Sequence, residues 1–426
     1  MLFLCAVASA RLNAMGMPSI TRRQFLVRSA AGVALIPSVG ALLAACGSSS
    51  TTAGSSSPAG PEALIGTPAK PVKLPIFADN KGIADGLKPE AGPLKILNYA
   101  DYVSPDLIKA FEAKYNTKVE ITTFDSDTDL VEKVRTGALT GDMILSSSYD
   151  TYYKMVAGKL VQPLNRTYIT NFANVLPALQ DPFYDSGSQY TVPYTLYALG
   201  LSYRNDLIDP KIVDAKGWDV LWDPAYKGKI SVLNNDRESI AVALLRKGIA
   251  DLNTTDPAVI AKAGADLKEL VAANVKVTID VYKNVPTAVT TIGESYSGDM
   301  INGVGQLPTG VDVKTLSFWK PPIDKLPVNN DLQTVLKAAT NPVLAHHFIN
   351  FMLDVENAFT NFTFVGYQPA LGATTADEII KRNLAPETLR SCLLTNDEVA
   401  KGLRIHALPL AQAKLYESAY SSFNAG

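Results

Sequence analysis

The chain has 426 residues, 39 of them Lys or Arg and 41 Asp or Glu, for a formal charge of −2. The first 45 residues hold Arg11, Arg22, Arg23 and Arg28 and no Lys, Asp or Glu, which leaves 35 basic against 41 acidic residues, or −6, for the rest. A body of that sign excludes nucleic-acid binding through bulk charge, which needs clustered Lys and Arg, and 47% apolar with 19% charged residues excludes a disordered chain.

Thr21-Arg22-Arg23-Gln24-Phe25-Leu26 precedes an uncharged run over 29–45 that ends Leu43-Ala44-Ala45-Cys46. A basic stretch, a short apolar segment and small residues make a secretory signal. The run is shorter than the ~20 residues of a membrane span, and Pro37 and Gly40 interrupt it. The paired arginines resemble a twin-arginine export signal, and Leu-Ala-Ala-Cys resembles a lipobox. The expectation is a signal peptide over 1–45 and a lipidated Cys46. Residues 46–92 begin with a Gly/Ser run over 47–57 and read as a flexible tether followed by an extended segment. Acyl chains then hold the protein on a membrane while its body stays in water. Beyond Cys5 and Cys46 only Cys392 remains, so no internal disulfide is expected. Cys392 reads as a half-buried apolar residue rather than a nucleophile.

From Leu94 the pattern becomes regular. A short apolar strand over 94–97 is followed by Ser104-Pro105, an N-cap and first-turn Pro. Leu107, Ile108, Phe111 and Tyr115 recur at helical spacing. Val119, Ile121 and Thr123 alternate as a strand, Leu130, Val131 and Val134 mark a helix, and 143–145 a third strand. The same alternation returns with a strand over 229–233, helices over 240–245 and 259–271, and a strand over 275–279. Asn341-Pro342 opens a helix with Leu344, Phe348, Ile349 and Met352 on one face. Strands alternating with helices imply an α/β body built on mainly parallel sheets flanked by helices.

Asp125-Ser126-Asp127-Thr128-Asp129 has Leu130 and Thr136 where a calcium loop needs Gly and a bidentate Glu, so these acids read as helix-capping. His346 and His347 project about 100° apart on a helix and cannot share a metal. Tyr152-Tyr153 is similar to the adjacent tyrosines of ferric-ion binding proteins, but reads first as packing. No nucleophile elbow, Walker loop or dinucleotide fingerprint is present. What remains is tyrosine where strands should end: Tyr99, Tyr102, Tyr149 and Tyr296. Ligands bind beyond the carboxyl ends of strands in open α/β sheets. Tyr rings with interspersed carboxylates suit an organic cation.

Trp218-Asp219-Val220-Leu221-Trp222-Asp223-Pro224-Ala225-Tyr226-Lys227-Gly228-Lys229-Ile230 resembles the W-x-x-L-W-D-P-x-Y-K-G-K segment of the spermidine/putrescine-binding proteins of bacterial ABC transporters. Asn98-Tyr99-Ala100-Asp101-Tyr102, Ser147-Ser148-Tyr149, Val192-Pro193-Tyr194, Ser297-Gly298-Asp299, Phe348-Ile349-Asn350-Phe351 and Val365-Gly366-Tyr367 match in the family's order. The resemblance implies a two-lobed periplasmic-binding-protein-like fold of type II. Its lobes are 93–199 with 295–340, and 200–294 with 341–426. It implies a ligand set of Tyr99, Tyr102, Ser147, Tyr149, Asn235, Glu238, Tyr296, Asp299, Asp331 and Gln368. Tyr99 and Tyr296 stand where the family has Trp, and Asn235 where it has Asp. Asn cannot offset a buried ammonium and Tyr offers a weaker cation–π face, so the preference shifts toward a diamine or another amine. The implied function is a lipid-anchored, extracytoplasmic, monomeric solute-binding protein. It captures a polyamine and delivers it to an ABC permease, with no metal, cofactor, nucleic acid or catalysis. The alternatives are a carrier of another cationic amine or ferric ion, a surface hydrolase using Glu238 and Asp299, and a surface adhesin.

Overall fold

The computed structural model describes residues 61–424. The expected signal peptide, Cys46 and the Gly/Ser run lie outside the described residues. Ten strands follow in chain order: β1 (Leu94–Asn98), β2 (Val119–Thr123), β3 (Met143–Ile144), β4 (Val192–Arg204), β5 (Ile230–Val232), β6 (Lys276–Val277), β7 (Ile292–Tyr296), β8 (Leu316–Trp319), β9 (Val328–Val335) and β10 (Gln368–Pro369). They lie in the order β2-β1-β3-β9-β4-β7-β5-β6, with β8 and β10 also pairing β4.

The two ends of this sheet are parallel, as helix-separated strands require: β1 runs with β2 and β3, and β5 with β6 and β7. Its middle is antiparallel, because β4 and β9 run against their neighbours. Strand β4 has 13 residues and serves both halves. Val192 to Ala198 pair with β9, and Leu199 to Tyr203 pair with β7. One long strand therefore joins two lobes, and the side chains near its midpoint lie where they meet.

Each lobe has its own core. The first gathers Leu94, Ile96, Leu107, Phe111, Met143, Val192 and Leu196; the second gathers Leu201, Trp218, Leu221, Ile240, Leu244, Leu267 and Ile292. Fully burying one such Leu or Phe contributes roughly 1.5–3 kcal/mol. Helix Pro105–Tyr115 starts at Ser104 with Pro in its first turn and closes on Asn116 in the left-handed region, so its Leu107 and Phe111 face the first core. Helix Pro342–Met352 packs on that same core through Leu344, Phe348 and Ile349, with the Phe348 ring 4.9 Å from Phe111. The sequence-based division gave 341–426 to the second lobe. The apolar face of this helix matches Phe111 and keeps it with the first; beyond it the chain serves both cores, Phe359, Phe362, Ile379 and Tyr416 the second and Leu371, Leu394 and Val399 the first.

Residues 61–92, the expected extended segment, lie along the body. Leu74 is buried, Asn80 Nδ2 donates to Val161 O at 2.7 Å, and Tyr190 Oη donates to Pro75 O at 2.6 Å. The Glu90 carboxylate accepts from Val343 N and Leu344 N, at the start of the Pro342 helix. The segment Trp218–Ile230, the most specific part of the resemblance, serves packing rather than ligand. Trp222 Nε1 donates to Asp266 O at 3.0 Å, Arg246 lies over the Trp222 ring at 4.1 Å, and Trp218 meets Trp319 edge-on at 5.4 Å.

Candidate ligand-binding cleft

Asp331 lies on β9 beside the shared strand. Thr195 and Tyr197 alternate with the core residues of β4, and the two-residue period turns both toward it. Thr195 Oγ1 donates to Asp331 Oδ2 at 3.1 Å, and Tyr197 Oη reaches Oδ1 at 3.4 Å. Tyr102, beyond the end of β1, donates to Oδ2 at 2.8 Å. Its own position is fixed from behind: Tyr194 Oη donates to Tyr102 O at 2.6 Å and in turn accepts from Asn361 Nδ2 at 2.8 Å.

Tyrosine rings continue from this point. Tyr102 meets Tyr99 at 6.4 Å and Tyr367 at 5.2 Å, and Tyr197 meets Tyr367 at 6.0 Å and Tyr296 at 5.0 Å, all edge-to-face. Tyr367 Oη donates to Asp299 Oδ1 at 2.7 Å, while Asp299 Oδ2 accepts from Tyr296 N at 3.3 Å at the start of helix Ser297–Asn302. Two glycines make the Tyr367 position workable. Gly366 has φ +77°, ending the preceding helix in a left-handed turn. A Cβ on Gly298 would lie 2.4 Å from the Tyr367 ring, so only Gly lets the ring settle there.

On the second lobe, Glu238 sits in the first turn of helix Asp236–Arg246. It is 7% exposed, and its carboxylate makes no hydrogen bond and no ion pair among the described residues. Asn235 is the N-cap of that helix: its side-chain oxygen accepts from Arg237 N and Glu238 N, so it orients Glu238. Glu294, on β7, accepts through Oε2 from Leu233 N and Ser239 Oγ, each at 3.2 Å, and its Oε1 is buried without a partner.

A further acidic pair flanks Tyr99. Asp127, at the first position of helix Asp127–Thr136, accepts from Ser148 N at 3.0 Å. Ser148 Oγ contacts both the Asp127 and the Asp150 carboxylates. Ser126, not Asp127, caps the helix, through Asp129 N.

These carboxylates share one environment. Burial pushes Glu238 up to about 8, with Asp150 adding to the rise, and raises Glu294 to about 8. Burial lifts Asp127 and Asp299 to about 7, and Asp331 to about 6 against the hydrogen bonds that hold it down. None of Asp127, Asp150, Glu238, Glu294, Asp299 and Asp331 forms an ion pair with a Lys or Arg among the described residues. Every other buried or half-buried acid with an ion pair, such as Asp266 with Arg246 and Lys247, lies elsewhere. Carboxylates confined together without a cation hold protons, or accept a cation from outside.

The sequence-derived set divides into four. Tyr99, Tyr102, Glu238, Tyr296, Asp299 and Asp331 converge. Asn235 and Ser147 support: the Ser147 backbone pairs Leu332 in both directions. Its hydroxyl is buried and unpartnered. Tyr149 stacks on Tyr184 at 4.7 Å and donates to Asn329 Oδ1 at 2.5 Å, which makes it a buried wall. Gln368 faces away. Its Nε2 donates to Thr374 O and Leu394 O, and its Oε1 accepts from Leu394 N at 2.7 Å, so no polar atom is left for a ligand. A cavity of about 390 Å³ beyond Gln368, lined by Leu196, Thr375, Arg390 and Asn396, contains none of the clustered carboxylates. Thr195, Tyr197, Glu294, Tyr367, Asp127 and Asp150 belong to the cluster and were not in the set. The alternation along 195–197 and the Val365-Gly366-Tyr367 motif were the signals for two of them.

The other flagged residues are structural. Tyr152 Oη bonds Thr334 Oγ1 at 3.1 Å inside the core. His346 accepts from Asn165 N through Nε2 at 3.0 Å and donates from Nδ1 to Pro342 O at 2.6 Å. Cys392 is 2% exposed, and burial pushes its thiol far up, which silences it as a nucleophile.

Two lobes on a shared strand, with polar side chains converging beside it, define a two-lobed ligand-binding protein. The chain belongs to the bacterial extracellular solute-binding protein family, whose pattern matches residues 106–387. It is 29% identical over 348 residues to the spermidine/putrescine-binding periplasmic protein of Escherichia coli K12, covering 78% of this chain and 92% of the relative. It is 25% identical over 273 residues to a putrescine/cadaverine-binding protein of Pseudomonas aeruginosa, covering 63% and 76%. Among solved structures it is similar to the spermidine/putrescine ABC transporter substrate-binding protein of Streptococcus pneumoniae, crystallised with calcium and HEPES. The TM-score is 0.63 at 25% identity, covering 78% of this chain and 98% of that one. The fold extends to a periplasmic binding protein of Actinobacillus pleuropneumoniae with fructose-6-phosphate bound, at TM-score 0.56 and 18% identity.

Proposed function

We propose that this chain captures a polyamine of the putrescine or spermidine class between its lobes and delivers it to an ABC importer. The observation that carries the reading is the convergence of buried, unpaired carboxylates with tyrosine rings. Ammonium groups replace the protons those carboxylates otherwise hold, and methylenes pack on the ring faces. Relatives named for spermidine, putrescine and cadaverine support the ligand class. Glu238, Asp299 and Asp331 are the proposed anionic contacts, Tyr99, Tyr102, Tyr197, Tyr296 and Tyr367 the aromatic ones. In this reading the lobes follow the shared strand, the protein acts as a monomer outside the cytoplasm, and Cys46 carries the lipid anchor. Among the described residues no helix is long and apolar enough to cross a membrane.

Thermal denaturation with putrescine, spermidine, spermine, arginine and ferric ion tests this. A bound ligand at 100 times its dissociation constant stabilises by about 2.7 kcal/mol. A shift with at least one polyamine and a smaller one with arginine is expected. No shift with any amine would sink the reading.

A further inference from the structure

We propose that Asp127 and Asp150, joined through Ser148, form with Glu238 a second cation subsite in the cleft, distinct from the Asp331 cage, which takes one ammonium group of a ligand carrying at least two. This rests on the polyamine reading above and goes beyond it by assigning where the second charge sits.

The first observation is the arrangement around Ser148. Its single hydroxyl proton faces two carboxylates, Asp127 and Asp150, and satisfies only one of them. The backbone N–H of Ser148 supplies one further bond to Asp127 Oδ2. Asp127 Oδ1 is buried and, among the described residues, has no hydrogen-bond partner in good geometry, with Tyr99 the side chain nearest to supplying one. Two acids on one hydroxyl and one amide have more acceptor capacity than the protein fills, and an ammonium group with three N–H donors supplies what is missing.

The second observation is independent of that pair and comes from the other lobe. Glu238 is 7% exposed, and its carboxylate has neither a hydrogen bond nor an ion pair among the described residues. The Asp150 carboxylate is the leading charge acting on it, ahead of Arg237, whose guanidinium instead turns to His406 O and Asn253. A buried, unpartnered carboxylate therefore shares its field with the Asp127–Asp150 pair, and no Lys or Arg forms an ion pair with any of the three among the described residues.

The subsite is not the Asp331 cage. Asp331 is already held by Tyr102 and Thr195, whereas Asp127 is held by Ser148. Ser148 and Asp331 are β-bridge partners, so the two acidic groups stand on neighbouring rungs, with Tyr99 feeling the charge of both. Two ammonium groups of one ligand would then each meet a separate acidic group beside that tyrosine.

The consequence is selectivity by charge count. Competition calorimetry with putrescine and 1-aminobutane, which have the same carbon chain and differ by one ammonium group, reads it directly. Putrescine affinity falls roughly tenfold or more in the Asp127→Asn/Asp150→Asn double variant, as expected for a lost charge-assisted contact, and the preference for putrescine over 1-aminobutane falls with it. The surface variant Asp129→Asn, whose carboxylate pairs with Lys133, keeps putrescine affinity within about threefold of the native protein. Melting curves establish that each variant is folded, and Asp150→Asn alone serves if the double variant is not. Putrescine affinity within about threefold of native in the folded acidic-pair variant overturns the subsite while leaving the polyamine reading in place. A native protein that binds no amine overturns both.

Discussion

Replacing Glu238 by Gln is expected to weaken polyamine binding by about 100-fold at pH 8, corresponding to roughly 2.7 kcal/mol. The substitution keeps shape and removes only the charge. In the native protein that charge has no hydrogen-bond or ion-pair partner among the described residues, so an incoming ammonium gains its full attraction without displacing an existing contact. Part of that gain is spent deprotonating a carboxyl that burial has raised to about 8, and the effect is therefore best read at pH 8 or above. Asn235→Ala should behave differently, although both positions come from the same sequence segment. Its oxygen is spent on the helix N-terminus, so it should lower stability by about 1 kcal/mol and leave affinity within about fivefold. Calorimetric titration of the two variants checks the contrast. Equal losses of affinity would contradict the roles assigned here.

The second large effect is a reversal of pH dependence by ligand. Asp127, Glu238, Glu294 and Asp299 have folded-state values of about 7 to 8, well above those of the unfolded chain. A raised carboxyl means that the folded, ligand-free protein binds more protons than the unfolded one. The stability this contributes is complete below the unfolded values near ~4 and is lost as pH rises through about 7 to 8. His346, His347 and His406 are shifted the other way by burial, so they add stability as pH rises. Their contribution is complete above about pH 7. Between pH 7 and 8.5 the carboxylates dominate, and the buried Cys392 thiol adds a smaller loss of the same sign as pH nears its unfolded value. The melting temperature of the ligand-free protein should fall over that interval by on the order of 5 °C. Saturating putrescine should abolish the fall, because ammonium groups replace the lost protons. Glu238→Gln should flatten the ligand-free curve. A native melting temperature that rises over the same interval would show that these acids are compensated by something else.

Much of the fold is legible in the sequence because local signals and burial agree. Ser104-Pro105 and the spacing of Leu107 and Phe111 yield a helix at Pro105–Tyr115, and Asn341-Pro342 yields one at Pro342–Met352. What is not legible locally is which core an amphipathic helix joins. The face Leu344, Phe348, Ile349 is equally apolar toward either lobe, and only the meeting with Phe111 settles it. The extended segment over 61–92 lacks periodicity, so its anchoring points are not legible: Asn80 and Glu90 tie it down through hydrogen bonds to distant residues.

The candidate site was half legible. Residues carried by ordered motifs, such as Tyr102, Glu238 and Asp299, arrive together because short turns after strands set them. Gln368 lies apart from the cluster because its amide is taken up by the Thr374 and Leu394 backbone, a long-range pairing that no local pattern announces. Asp127 reads as a helix-capping acid and Asp150 carries no signal of its own, since a capping acid and a cleft-facing acid occupy the same first turn. Only the position of Ser148 between them separates the two roles.

The central expectation is that the cleft takes an organic cation. Titration calorimetry at pH 8 with putrescine and spermidine, and with glutarate as an anionic chain of similar length, tests it most directly. Saturable binding of an amine at one site per chain, with no heat from glutarate, is the predicted result. Binding of glutarate with neither amine binding would contradict it.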